Sequence, residues 1–232
     1  MNKSKNTYHP IKVILLIITF LFLFLMEQLP LSILTLTKKE LGANYSSYIS
    51  YAPLLTLILL AISTIILIFV FKHAQKFPTQ KFTKGTWMIV VIATVLTMVI
   101  NFATVPFMRS SNENVDALKL VANNNMVILI LFTIFVAPIL EEILFRGILM
   151  NWFFVDRPFL AILLSGIVFG YVHAPFSANT DWIYALSKIL LGVVLAGVYY
   201  RTKNIKADIT VHFLNNILAI LGGTIISGAV LL

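Results

Sequence analysis

Apolar residues in this chain come in long unbroken runs, without the strict alternation of half-buried strands or the single apolar stripe of surface helices. Seven such segments can be delimited, at about 11–36, 50–71, 87–108, 125–151, 159–174, 182–200 and 207–231. Most reach the roughly 17 to 25 residues needed to cross a hydrocarbon core. Short polar loops separate them. The pattern predicts an all-α, polytopic integral membrane bundle of about seven helices forming a single transmembrane domain, 1–232, with no linker to a second domain. Gly222, Gly223 and Gly228 leave room for an eighth short helix within the last run. Pro138 cannot donate to a helix ladder and is expected to kink the fourth span or to start a new helical piece. The most polar stretch, 109–125, suits a short surface helix.

Composition agrees with that picture: 59% of the 232 residues are hydrophobic, 11% are charged, and the mean hydropathy is +0.96, well outside the range of soluble domains. Cysteine is absent, which excludes disulfides, thiolate metal sites and a cysteine nucleophile. The first run follows Lys3, Lys5 and Lys12 and lacks a small-residue cleavage site, so it is taken as a retained span. A net charge of +8 would suit a nucleic-acid partner, but these cations lie in short loops, where they set topology, and no nucleic acid is expected. Eleven Lys and Arg fall on one side (Lys3, Lys5, Lys12, Lys72, Lys76, Lys81, Lys84, Arg157, Arg201, Lys203, Lys206) and four on the other (Lys38, Lys39, Arg109, Lys119). The positive-inside rule then places the N-terminus in the cytoplasm and the C-terminus outside. Trp87, Trp152, Trp182, Tyr199 and Tyr200 suit interfacial belts.

Against this background the run "VAPILEEILFRGILM" is anomalous, because Glu141, Glu142 and Arg146 sit deep in an apolar span. Each such charge costs about 2.5 to 3.5 kcal/mol at mid-bilayer on insertion scales. Glu142 and Arg146, four apart, share a helix face and compensate each other. Glu141 points about 100° away and has no local partner. Two further polar clusters lie within spans. Phe169 and His173 stand one turn apart in the fifth, where Gly166 and Gly170 allow close helix approach. His212 and Asn216 stand one turn apart in the seventh. Each cluster taken alone reads as a structural contact between spans; two histidines and an unpaired glutamate in one apolar chain favour a shared functional site. Glu27 is expected to mark the outer end of the first helix, Asp208 to cap the last, and His9 and His73 to sit with loop lysines. Ser165 and Ser177 lack a nucleophile motif, which disfavours a serine protease.

As a set, "EEILFR" (Glu141, Glu142, Arg146), "FGYVH" (Phe169, His173) and "HFLNN" (His212 to Asn216) resemble the EExxxR, FxxxH and HxxxN/B motifs of CPBP intramembrane proteases. That Abi-like family includes type II CAAX prenyl proteases and bacterial proteins linked to bacteriocin processing and self-immunity. The resemblance covers about 125–220, the expected catalytic core, and spans one to three carry none of its motifs. It implies an intramembrane cavity in which Glu141 is the general base, His173 positions the attacking water, and His212 with Asn216 stabilises the oxyanion. Glu142 and Arg146, with Phe169, are implied as supporting residues. If a metal takes part, Glu141, His173 and His212 supply a zinc-type set; lacking HExxH, the chain favours a metal-free glutamate mechanism with no cofactor. The expected partners are membrane lipids and a membrane-associated peptide or protein substrate, while the sequence is silent on oligomeric state. The rival class is a non-catalytic scaffold or immunity protein, or a small-ion transporter, built on the same polar cavity.

Depth is the difficulty. Counted along the helices, His212 lies about 9 Å from the lysine-rich side and His173 about 24 Å, so their meeting requires tilt, a late start for span five, or a wide cavity.

Overall fold

The computed structural model describes residues 10–109 and 113–227, which fold entirely as helix and connecting turns. Seven long helices follow the apolar runs. They are α1 (Pro10–Ser32), α2 (Tyr45–Ala74), α3 (Lys84–Thr104), α4 (113–153), α5 (Pro158–His173), α6 (Trp182–Thr202) and α7 (Ile205–Ser227). Five helical stretches are long and apolar enough to cross a membrane, and α5 is a shorter apolar helix. This is a multi-pass membrane protein. Helix α7 runs unbroken through Gly222 and Gly223 to Ser227, so no eighth piece appears among the described residues. Gly228, His9, Lys3 and Lys5 lie outside them.

The helices divide into a shell and a core. Only 17% of the most apolar window of each of the first three spans is buried, against 50% for α4 and α6. Ile11, Leu15, Ile18 and Phe22 of α1 and Val91, Ile92 and Val95 of α3 therefore face outward, as lipid-facing positions do. Closest of all is the α5–α6 pair, where glycines bring the backbones together. A Cβ on Gly170 would lie 2.8 Å from the Ile189 backbone nitrogen, and one on Gly192 would lie 2.9 Å from the Gly166 Cα. The glycine expectation holds, and Gly192 on α6 belongs to the same seam.

Helix α4 carries the irregularities that shape the centre. It bends at Asn125 (φ −161°, ψ 89°), whose side chain then caps the next piece by accepting from the Ile128 N–H at 3.0 Å. The span thus begins where the apolar run begins. The preceding arm is not simply a surface helix: Val121 is fully buried with Leu34, Tyr48 and Leu129. Asn124 also donates to the Leu34 carbonyl at 2.7 Å and accepts from the Tyr45 hydroxyl at 2.9 Å. Further along, Phe132–Val136 forms a wide π turn and Ala137–Glu142 resumes the α-helix. Pro138 is responsible. The Ala137 N–H reaches back to the Phe132 carbonyl; the Thr133 carbonyl would next receive an N–H from residue 138, and proline has none.

A second wide stretch, Ile143–Met150, follows the glutamates. Asn151, fully buried, holds its end. The Asn151 amide donates to the Gly147 carbonyl at 3.0 Å and to the Tyr199 hydroxyl at 2.9 Å. Its oxygen accepts from the backbone N–H groups of Lys76 and Phe77 at 2.8 and 3.0 Å, which ties the loop after α2 to α4. Tyr199 is only 2% exposed, so it is a core residue and not part of an interfacial belt, whereas Trp87 and Trp182 are exposed at 55% and 59%.

Candidate active site

The three polar clusters meet. Oε2 of Glu141, on α4, lies 3.8 Å from Nε2 of His173, the last residue of α5, and 3.8 Å from Nε2 of His212, on α7. The two histidines meet although His173 is about 22 Å along α5 and His212 about 10 Å along α7.

The hydrogen bonds on the far side of each ring fix which nitrogen faces the centre. Nδ1 of His173 is 2.8 Å from the Phe169 carbonyl, which can only accept, so Nδ1 carries the proton and Nε2 presents a lone pair. Nδ1 of His212 is 2.8 Å from Oε1 of Glu142. That oxygen also accepts from Nη1 of Arg146 at 3.1 Å, so Nδ1 again donates. Two imidazole lone pairs and a carboxylate oxygen therefore converge, three acceptors with no donor among them. Oε2 of Glu141 is buried without a hydrogen-bond partner. A water molecule, with two O–H donors, can satisfy two of these three acceptors at once.

Arg146 organises the layer behind. Its Nη2 donates to the Gly192 carbonyl at 2.8 Å, and its guanidinium lies 4.8 Å from the centre of the Phe169 ring. Phe169, fully buried, stacks on His173 with centroids 4.3 Å apart and meets His212 edge-on at 5.7 Å. The supporting residues thus lock α4, α5, α6 and α7 around the two histidines.

Asn216 is placed by a chain of amides. Asn101 of α3 donates to Asn215 at 2.9 Å, Asn215 to the Asn216 oxygen at 3.2 Å, and Asn216 to the Thr133 carbonyl at 2.9 Å. That is the carbonyl Pro138 leaves without a donor. One hydrogen of the Asn216 amide remains for another acceptor.

Three residues need correction or addition. Glu27 is not a marker of the helix end: it is 1% exposed, bonded to Gln28 at 2.6 Å, and near enough to Glu141 for their charges to interact. Asp208 stands in the first turn of α7 but does not cap it, since Asn204 takes that place by accepting from the Lys206 N–H at 3.0 Å. Fully buried, Asp208 lies within hydrogen-bond reach of Glu142. Lys188, in the apolar run "WIYALSKILLGVV", is half-buried with Nζ 5.1 Å from the Tyr184 ring, and its charge acts on Glu141, His173 and His212. The rule that finds Glu141, an ionisable group within a span, would have found Lys188 as well.

His173 also borders a cavity of about 340 Å³ that Arg109, Asn114, Asp181 and Tyr184 line. It lies at the end of the bundle away from the lysine-rich loops and gives the histidine a polar approach. The zinc-type set fits poorly. Bonds of about 2.0 to 2.1 Å in a tetrahedron need ligand separations near ~3.4 Å. The carboxylate–imidazole separations are 3.8 Å, and no group of three such side chains among the described residues is disposed to hold an ion.

The segment that carries these residues is also the one that resembles known proteins. Residues 123–218 match the Rce1-like type II CAAX prenyl endopeptidases, the stretch that carries all three motifs. In this segment the chain is similar to that family. A Bacillus subtilis (strain 168) protein, YdiL, named as a candidate membrane peptidase, is 36% identical over 90 residues. The aligned part is 38% of this chain and 34% of YdiL, so the chain spans about a third of that relative. No solved structure shows significant similarity to this chain.

Proposed function

We propose that this protein is an intramembrane endopeptidase of the type II CAAX prenyl endopeptidase kind that hydrolyses a peptide bond of a membrane-associated peptide or protein, with water activated by Glu141. The carrying observation is the pair of imidazole Nε2 atoms, each 3.8 Å from one Glu141 oxygen and each made an acceptor by its own Nδ1 bond. A water between them donates one hydrogen to Glu141 and the other to an imidazole, which leaves its oxygen lone pair to attack the carbonyl carbon. Glu141 takes the proton as the C–O bond forms and returns it to the leaving nitrogen as the C–N bond breaks, giving an acid and an amine. The second Asn216 hydrogen is available to the developing oxyanion, and the Lys188 charge adds to its stabilisation; such donors contribute about 3 kcal/mol each in a water-excluded site. This assignment gives His212 to the water rather than to the oxyanion, because its N–H is already committed to Glu142.

Peptide maturation or bacteriocin self-immunity is the biological setting we infer, with the lysine-rich end in the cytoplasm. The test compares cleaved and intact membrane-bound peptides in cells carrying the parent or Glu141→Gln at equal expression. The proposal expects the cleaved species to vanish in the variant. An unchanged peptide profile would support the scaffold or transporter reading instead.

A further inference from the structure

A second cavity, of about 400 Å³, lies at the lysine-rich end of the bundle, away from the carboxylate and imidazoles. Its wall joins the end of α2, the loop before α3 and the turn between α6 and α7. Lys81, Lys203 and Lys206 line it together with Phe71, Phe82 and Ile205, and no acidic residue does. The ion pairs among the described residues involve none of these three lysines.

The frame is fixed by bonds across the loops. The Gln80 N–H donates to the Lys203 carbonyl at 3.1 Å, and the Asn204 amide donates to the Gln80 carbonyl at 2.8 Å. Lys203 closes α6 in the left-handed region (φ 50°), with its ammonium 3.8 Å from the Phe77 ring and 3.4 Å from the Tyr200 ring. Lys81 and Lys206 are exposed at the rim. Three cations without acids, beside an apolar wall at the end of a transmembrane bundle, match an anion that carries hydrocarbon. We propose that this cavity binds the phosphate of an anionic lipid headgroup, held by Lys81, Lys203 and Lys206, with the lipid's apolar part against Phe71, Phe82 and Ile205.

The test uses purified protein in neutral detergent micelles, given phosphatidylglycerol, phosphatidylcholine or inorganic phosphate alone. Binding is read by native mass spectrometry and thermal unfolding. Phosphatidylglycerol is expected to be retained and to raise the unfolding temperature, and phosphatidylcholine not. The Lys81→Gln/Lys206→Gln double variant should weaken phosphatidylglycerol binding by roughly 10- to 30-fold, while Lys81→Arg/Lys206→Arg keeps it. Lys72→Gln/Lys84→Gln, which removes two lysines outside the cavity, should leave it unchanged. No preference for phosphatidylglycerol in the parent overturns the proposal whatever the variants do. An equal loss in the Lys72/Lys84 control reduces it to diffuse surface charge and overturns it too. Inorganic phosphate that binds as tightly as the lipid assigns the cavity to a free phosphate ester and overturns the lipid source.

Discussion

Asp208 and Glu142 face each other as two buried carboxyls, and apart from each other neither Asp208 nor the Glu142 Oε2 finds a hydrogen-bond donor among the described residues. A buried acceptor without a donor costs about 1 to 3 kcal/mol. Asp208→Asn supplies an N–H at the same place, so it should raise thermal stability, by about 1 kcal/mol; a lowered unfolding temperature would contradict the pairing. Arg146→Lys should do the opposite. Lysine cannot span Glu142 and the Gly192 carbonyl with one planar group or lie flat on Phe169, and the loss should be about 2 kcal/mol or more in thermal unfolding. At this scale the candidate site was legible wherever the anomaly was local. Glu141, His173 and His212 stand out as polar groups in apolar runs, and Glu142 with Arg146 as a pair four apart. Glu27 and Asp208 were misread because a proline or a lysine beside them in sequence offered an ordinary explanation, and only the fold brings them to Glu141 and Glu142.

The elements owe their fit to a few small or irregular positions. Gly170 lets α5 lie against α6 so closely that a side chain there would meet the Ile189 backbone, and the helix it loosens ends in His173. Gly170→Val should therefore lower stability by roughly 1 to 3 kcal/mol and abolish the proposed peptidase activity. A variant with parent unfolding temperature and activity would show the seam to be slack. The apolar runs announced the helices, and Pro138 announced a break. Its consequence was hidden: a proline leaves the Thr133 carbonyl open, and the residue that fills it, Asn216, is 83 positions away. Contacts of that range depend on packing, which hydropathy does not encode. The bend at Asn125 was visible only as the edge of an apolar run.

The whole molecule is asymmetric: the lysine-rich loops crowd one end and the cavity beside His173 opens at the other. With no native cysteine, single cysteines report orientation cleanly. A membrane-impermeant maleimide on intact cells should label Asn179→Cys and spare Asp156→Cys until the membrane is opened; the reverse pattern would invert the orientation we infer. The account as a whole turns on hydrolysis by a water held between Glu141 and the two imidazoles. The most direct measurement is mass spectrometry of peptides cleaved by the purified protein in water enriched in oxygen-18, parent beside Glu141→Gln. One heavy oxygen in each new carboxyl group from the parent, and no cleavage by the variant, is the predicted result. Cleavage by Glu141→Gln at the parent rate would contradict it.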